Sequence, residues 1–238
     1  MAADEQTIPS VWARPRKREQ PALSRAQIVA EAVRLLDADG LEALSMRKLG
    51  TRLDAGATSL YRHVANRDEL IELVVDEVYG EIRVPEVADP DNWREPVTAC
   101  ARSVRSMILR HPWIASVLGE VGLSHLGPNV MRLNDRMLAL LEAAGFPADE
   151  ADRAISAIVA YVTGMGISEA AWLTTVARSG QSEREWAERL RPAAERAAEP
   201  YPRLRNGFSA QTSPRRAREE KFDYGLERIL DGLETRRG

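Results

Sequence analysis

The stretch Leu44–Arg67, LSMRKLGTRLDAGATSLYRHVANR, decides how this chain is read. Leu44, Met46, Leu49 and Leu53 form a first apolar set; Asp-Ala-Gly-Ala breaks the pattern, and Leu60 and Val64 resume it. Polar and basic side chains fill the other face: Arg47, Lys48, Arg52, Thr58, Ser59, Tyr61, Arg62 and His63. Two short helices meeting across a tight, glycine-bearing turn make a helix-turn-helix unit. The second helix of such a unit, about 10–12 Å across, fits a DNA major groove about 12 Å wide.

Charge distribution points the same way. The 238 residues carry a net charge of only −3. Between Ser10 and Arg67, however, eleven Lys and Arg face six Asp and Glu, so a basic end precedes an acidic remainder. That asymmetry suits a protein that offers one face to a polyanion. Apolar residues make up 44% of the chain, enough for a real core. Cys100 is the only cysteine, which excludes an intrachain disulfide and a cysteine-rich metal site. His63, His111 and His125 are scattered, which argues against a zinc enzyme, and no metal or cofactor is expected. No apolar run approaches the roughly 20 residues that cross a bilayer, and the polar, proline-bearing start is unlike a signal peptide. A soluble, cytoplasmic, all-α protein is expected.

Three segments are expected: a flexible basic arm over 1–22, a three-helix DNA-binding head over 23–68, and a helical-bundle body over 69–238. In the arm, Arg14, Arg16, Lys17 and Arg18 read either as a solubilising tail or as an extension lying along a minor groove. Helical periodicity starts at Ser24, a good N-cap, and stops at Gly40. Asn66 caps a long linking helix to about Val84, with Leu70, Ile71, Val74, Val75 and Val78 as its core stripe. Further helices are predicted over Trp93–Arg110, Trp113–Gly119, Gly127–Ala144, Asp149–Arg178 and Arg218–Thr235. Gly180–Pro214 is weakly periodic, with a solvated helix at Glu183–Ala198.

The arrangement resembles the TetR family of bacterial transcriptional repressors, in particular the tetracycline repressor's subgroup. The resemblance is carried by Leu35-Leu36, by Gly40-Leu-Glu-Ala-Leu-Ser45, by Met46-Arg-Lys-Leu49 and by Ser59-Leu-Tyr-Arg-His-Val-Ala-Asn-Arg67. It extends to the closing Phe222-Asp-Tyr-Gly-Leu-Glu-Arg-Ile-Leu-Asp-Gly-Leu-Glu. It implies that the second helix of the unit reads bases while the first crosses the backbone. Thr58, Ser59, Arg62 and His63 are then the exposed base-reading candidates, with Arg62 able to hold a guanine through paired hydrogen bonds. By analogy Arg47 contacts a base or phosphate, Tyr61 a phosphate or thymine methyl, and Arg67 a phosphate. Lys48 joins Arg47 beside the turn. The bland alternatives are packing for His63 and Tyr61 and a solvated face for Arg47 and Lys48, while Leu49, Leu53, Leu60 and Val64 are core.

One head covers half an operator, so the body should form a homodimer on palindromic double-stranded DNA. Two stripes are expected to face the partner: Ala154, Ala157, Ile158, Tyr161, Val162 and Met165, and, in the last helix, Phe222, Leu226, Ile229, Leu230 and Leu233; intramolecular core is the alternative for both. The resemblance also implies a small effector inside the body that releases DNA. Val104, Met107, Ile108, Trp113, Ile114, Leu118, Met137, Trp172 and Val176 are the candidate lining, methionines and aromatics suiting an adaptable apolar pocket; plain core is the alternative for each. The tetracycline repressor's asparagine and phenylalanine, one turn apart on its fifth helix, align with Cys100 and Val104, and its metal-binding histidine aligns with Leu118. An apolar, metal-free effector rather than tetracycline is therefore expected. Two other readings stay open: a DNA-binding regulator without a small ligand, and an all-helical enzyme. Against the latter, no nucleophile set or phosphate-cradling loop is visible, and Glu169 and Asp152 read as solvated or capping acids.

Overall fold

A computed structural model describes residues 23–85, 89–120, 126–208 and 213–237; the basic arm lies outside them. Eleven α-helices and no strand are present among the described residues. Helix α1 (Arg25–Asp39) opens with a reciprocal capping box, Ser24 and Gln27 each bonding the other's backbone, and ends at Gly40 with φ +78°. Then come α2 (Met46–Arg52), α3 (Ala57–Tyr61) and α4 (Arg67–Tyr79), the last capped by the Asn66 side chain on the Glu69 N–H. Helix α4 ends at Tyr79 rather than near Val84.

The body comprises α5 (Arg94–Arg110), α6 (Ile114–Glu120), α7 (Pro128–Ala143), α8 (Ala148–Arg178), α9 (Glu183–Ala198), α10 (Pro202–Phe208) and α11 (Pro214–Glu234). Helix α10 was not foreseen in the weakly periodic stretch. Helix α8, 31 residues long, contains an 18-residue window of mean hydropathy 1.4, long and apolar enough by composition to cross a membrane. The sequence expectation is corrected there: Ile155, Ile158, Val159, Val162 and Ile167, set among Ala, Gly, Ser and Thr, raise the average without any unbroken run of large apolar residues. Instead α8 packs along α5 and against α7 and α11.

Two buried clusters result. One joins head to body: Ile28, Leu35, Leu36, Leu49, Leu60 and Leu70 share it with Met107, Ile108, Trp113, Ile114, Val117 and Ala170. The second lies within the body around Trp93, Leu141, Phe146, Ile158, Val162 and Phe222. The stripes expected at a subunit interface are largely spent here: Ala154, Ile158, Val162, Phe222, Leu226 and Leu230 are buried within the chain. What α8 leaves open is a neighbouring stripe, Ser156, Ala160, Gly164, Ser168 and Ala171, with Thr163 and Ile167 half-buried beside it.

At the junction, buried His111 faces a carboxylate with each ring nitrogen: Nδ1 lies 2.7 Å from Asp37 Oδ1 of α1 and Nε2 3.1 Å from Glu81 Oε1. Trp113 Nε1 donates to the same Asp37 oxygen at 2.8 Å. Partial burial raises the Glu81 carboxyl, but hydrogen bonds from Arg110 and His111 outweigh it and hold the group below the usual range.

Candidate DNA-reading face and effector cleft

Local packing rather than helix propensity fixes the reading face, since a five-residue helix has no stability of its own. Leu49, Leu60 and Val64 are buried beneath it. Ser45 caps α2 by accepting from the Lys48 N–H at 3.2 Å. The turn between α2 and α3 is made by Asp54, at φ +49°, not by the glycine after it. Gly56 has an ordinary φ of −66° as the N-cap of α3. The glycine that matters is Gly50: a Cβ there would stand 2.7 Å from the Ala55 carbonyl oxygen. Gly50→Ala should therefore cost about 1–3 kcal/mol, whereas Gly56→Ser, which supplies a capping hydroxyl, should cost nothing. Thermal melts of the two variants check this; equal midpoints would refute it.

On the outer face Arg47, Lys48, Thr58, Tyr61 and Arg62 are exposed, while Ser59 and His63 are half-buried. Arg47 and Arg62 form no ion pair among the described residues, whereas Lys48 pairs with Asp39 (2.9 Å) and Arg52 with Glu31 (3.4 Å). His63 falls past the end of α3, and its carbonyl accepts from Arg25 Nε at 3.2 Å. Arg67, although exposed, bonds the backbone of the head: Nε donates to the Leu44 carbonyl and Nη2 to that of Leu41, both at 3.3 Å. Its guanidinium thus braces the α1–α2 connection against the start of α4. Four of the eight candidates, Arg47, Thr58, Tyr61 and Arg62, share an exposed face and have no side-chain partner among the described residues; Lys48 is tied to an acid and Arg67 to carbonyls.

In the body, an apolar cleft opens between α5 (Val97, Cys100, Ala101, Val104), α7 (Leu133, Asn134, Met137) and α8 (Ile155, Ile158, Val159, Val162). Its free space is about 40 Å³. Burial pushes the Cys100 thiol up to about 12, so at neutral pH it is an apolar wall, not a nucleophile. Of the candidate effector residues, Val104 and Met137 line this cleft. Met107, Ile108, Trp113 and Ile114 instead fill the core shared with the head, and Leu118 packs against it. Trp172 turns toward α9 and donates to Glu183 Oε1 at 3.2 Å. Spacing placed these side chains inside, but two separate interiors were available.

Residues 28–74 match the family model of bacterial regulatory proteins of the tetR family, and 85–237 match the tetracyclin repressor-like C-terminal domain. The chain belongs to the TetR family. An HTH-type transcriptional regulator of Saccharopolyspora erythraea is 37% identical over 231 residues, covering 96% of this chain and 93% of that one. The HTH-type transcriptional repressor DrrR1 of Streptomyces coeruleorubidus is 32% identical over 96% of this chain and 85% of its own. Among solved structures, ActR of Streptomyces coelicolor in complex with actinorhodin superposes with a TM-score of 0.76 at 34% identity, covering 92% of this chain and 99% of ActR. TetR-family members are DNA-binding transcription factors rather than enzymes.

Two parts of this regulator escaped sequence reasoning. Asn134 is the single amide among the cleft-lining residues, and nothing in the sequence pattern singles it out. Glu169 is not a solvated acid: it is buried on α8, held by Arg105 Nε (2.7 Å) and Nη2 (2.8 Å) and by Arg218 Nε (3.0 Å). Arg218 also pairs with Glu183.

Proposed function

We propose that this TetR-family regulator is a homodimeric repressor that binds a palindromic operator through Arg47, Lys48, Thr58, Ser59, Tyr61, Arg62 and His63. A small, largely apolar, metal-free effector in the α5–α7–α8 cleft releases it. The observation that carries the reading is the pairing, in one chain, of an exposed face whose Arg47 and Arg62 form no ion pair among the described residues with an apolar, three-walled cleft in the body. The head is residues 23–68 and the body 69–238. Dimerisation rests on the open α8 stripe, whose small residues permit the close helix approach of an intersubunit four-helix bundle. Only a third of the apolar window of α8 is buried within the subunit. The cleft is smaller than the roughly 300–1,000 Å³ of ligand sites, so an effector must part α5 and α7 to enter. Actinorhodin, held by the related ActR, is the first compound to try.

Selection of bound DNA from a random pool tests the reading: a palindrome is expected, and recovery of no preferred sequence would reject it. On that operator Arg62→Ala should relax one base position per half-site, worth about 1–3 kcal/mol. Lys48→Ala should weaken all sequences alike and lower the salt slope by about one. Gel-shift titrations against single-base variants separate the two; uniform loss for Arg62→Ala would mean that it touches only phosphate.

A further inference from the structure

Helix α7 starts without a cap of its own. Gly127 at its N-cap offers no side chain, although the first N–H groups of a helix require acceptors. The acceptor is supplied by the linking helix. Asp76 Oδ1 of α4 accepts from the backbone N–H of Asn129 at 2.9 Å and of Val130 at 3.1 Å. Asn129 Nδ2 completes the grip, donating to the Asp76 carbonyl at 3.0 Å and to Oδ2 at 3.1 Å. The backbone is shaped for this contact: a Cβ on Gly127 would stand 2.1 Å from Asp76 Oδ1. A carboxylate bonding backbone N–H groups at a helix start makes charge-assisted hydrogen bonds and complements the helix dipole, so the joint is strong and directional.

What this joint connects gives it meaning. One to two turns further along, α7 presents Leu133, Asn134 and Met137 to the cleft. On α4, Val74, Val75 and Val78 sit beside Asp76 in the core shared with α1. The opposite cleft wall, α5, is anchored to the head independently, through His111 and Asp37 at its far end. An occupant that parts α7 from α5 therefore pulls on α4 through Asp76 while the α5 end stays fixed to α1.

We propose that Asp76 is the positioning residue through which occupancy of the cleft reorients the DNA-reading head, by capping α7 from α4. The inference rests on the cleft being the effector site. Coupling of this kind requires an element that both sites bias, and α4 is that element.

The test uses a wedge in place of a ligand. Ala101 is buried and lines the cleft, so Ala101→Phe places a ring where little space exists and forces α7 outward. Operator affinity is measured by fluorescence anisotropy, on the DNA recovered from the random pool, for wild type, A101F, D76A and D76A/A101F. A101F should bind at least tenfold more weakly than wild type, D76A within threefold of wild type, and the double variant within threefold of D76A. Asp76→Asn, whose side-chain oxygen still accepts from α7, should keep the response, with D76N/A101F at least threefold weaker than D76N. A double variant D76A/A101F as weak as A101F overturns the role of Asp76 and leaves the cleft reading standing. A folded A101F that binds operator like wild type overturns both. D76A alone more than tenfold weaker would make Asp76 a requirement for DNA binding rather than a relay, and also overturns the proposal. Should A101F fail to fold, Val104→Phe, at a half-buried cleft position, replaces it under the same criteria.

Discussion

Glu169→Ala should lower folding stability by about 3–5 kcal/mol, because it strands charges that the fold has already desolvated. Arg105 and Arg218 are largely covered, with side-chain exposures of 15% and 20%, and the bidentate partner of Arg105 would be gone. Glu169→Gln keeps an acceptor and should lose less. The pair also sets a pH dependence. Burial pushes the Glu169 carboxyl up, but the hydrogen bonds and charges of Arg105 and Arg218 outweigh it, and the group sits below the usual carboxylate range. A depressed native value means the unfolded chain takes up the proton first. The contribution is therefore complete above the ordinary glutamate value of about 4.3 and fades as pH falls through the lower folded value. Urea unfolding at pH 7 and at pH 4 checks both points, and a loss below about 1 kcal/mol at pH 7 would contradict the account.

Gly164→Arg should abolish dimerisation and, with it, reduce operator affinity by about 10²-fold or more, since two linked heads gain that much over one. Among the described residues no neighbouring atom lies within 4 Å of where a Cβ at Gly164 would sit, so there is room for the change. The arginine would project from the middle of the open α8 stripe. Sedimentation velocity should find a folded monomer; a variant that still sediments as a dimer and binds operator normally would rule out this face as the interface.

The head was legible in the sequence because its signals are local. Ser24, Gly40 and Asn66 mark helix ends through their own backbone chemistry, and the α2–α3 pattern lies within one short window. Even Glu183–Ala198 is readable as a solvated helix within a weakly periodic stretch. Partners distant along the chain were not legible. Periodicity identifies Met107, Ile108 and Trp113 as inward-facing but cannot say which interior they enter, and they fill the joint between head and body rather than the cleft. Glu169 meets Arg105 across 64 positions, and nothing around residue 169 advertises that. On α8 two apolar stripes run side by side, and only packing tells which one the subunit consumes. The basic character of Arg67 beside the motif is readable, whereas its reach to the carbonyls of Leu41 and Leu44 depends on how the chain turns back.

The common core of Ile28, Leu35, Leu49 and Leu70 with Ile108, Trp113 and Ile114 has a practical corollary for anyone dissecting this molecule. A fragment ending after Tyr79 would retain the whole reading motif yet bare the greasy underside against which Trp113 and Ile114 normally press, and Asp37 would lose the imidazole and indole that occupy it. The body is thus also the scaffold of the head, and neither should be expected to survive excision intact.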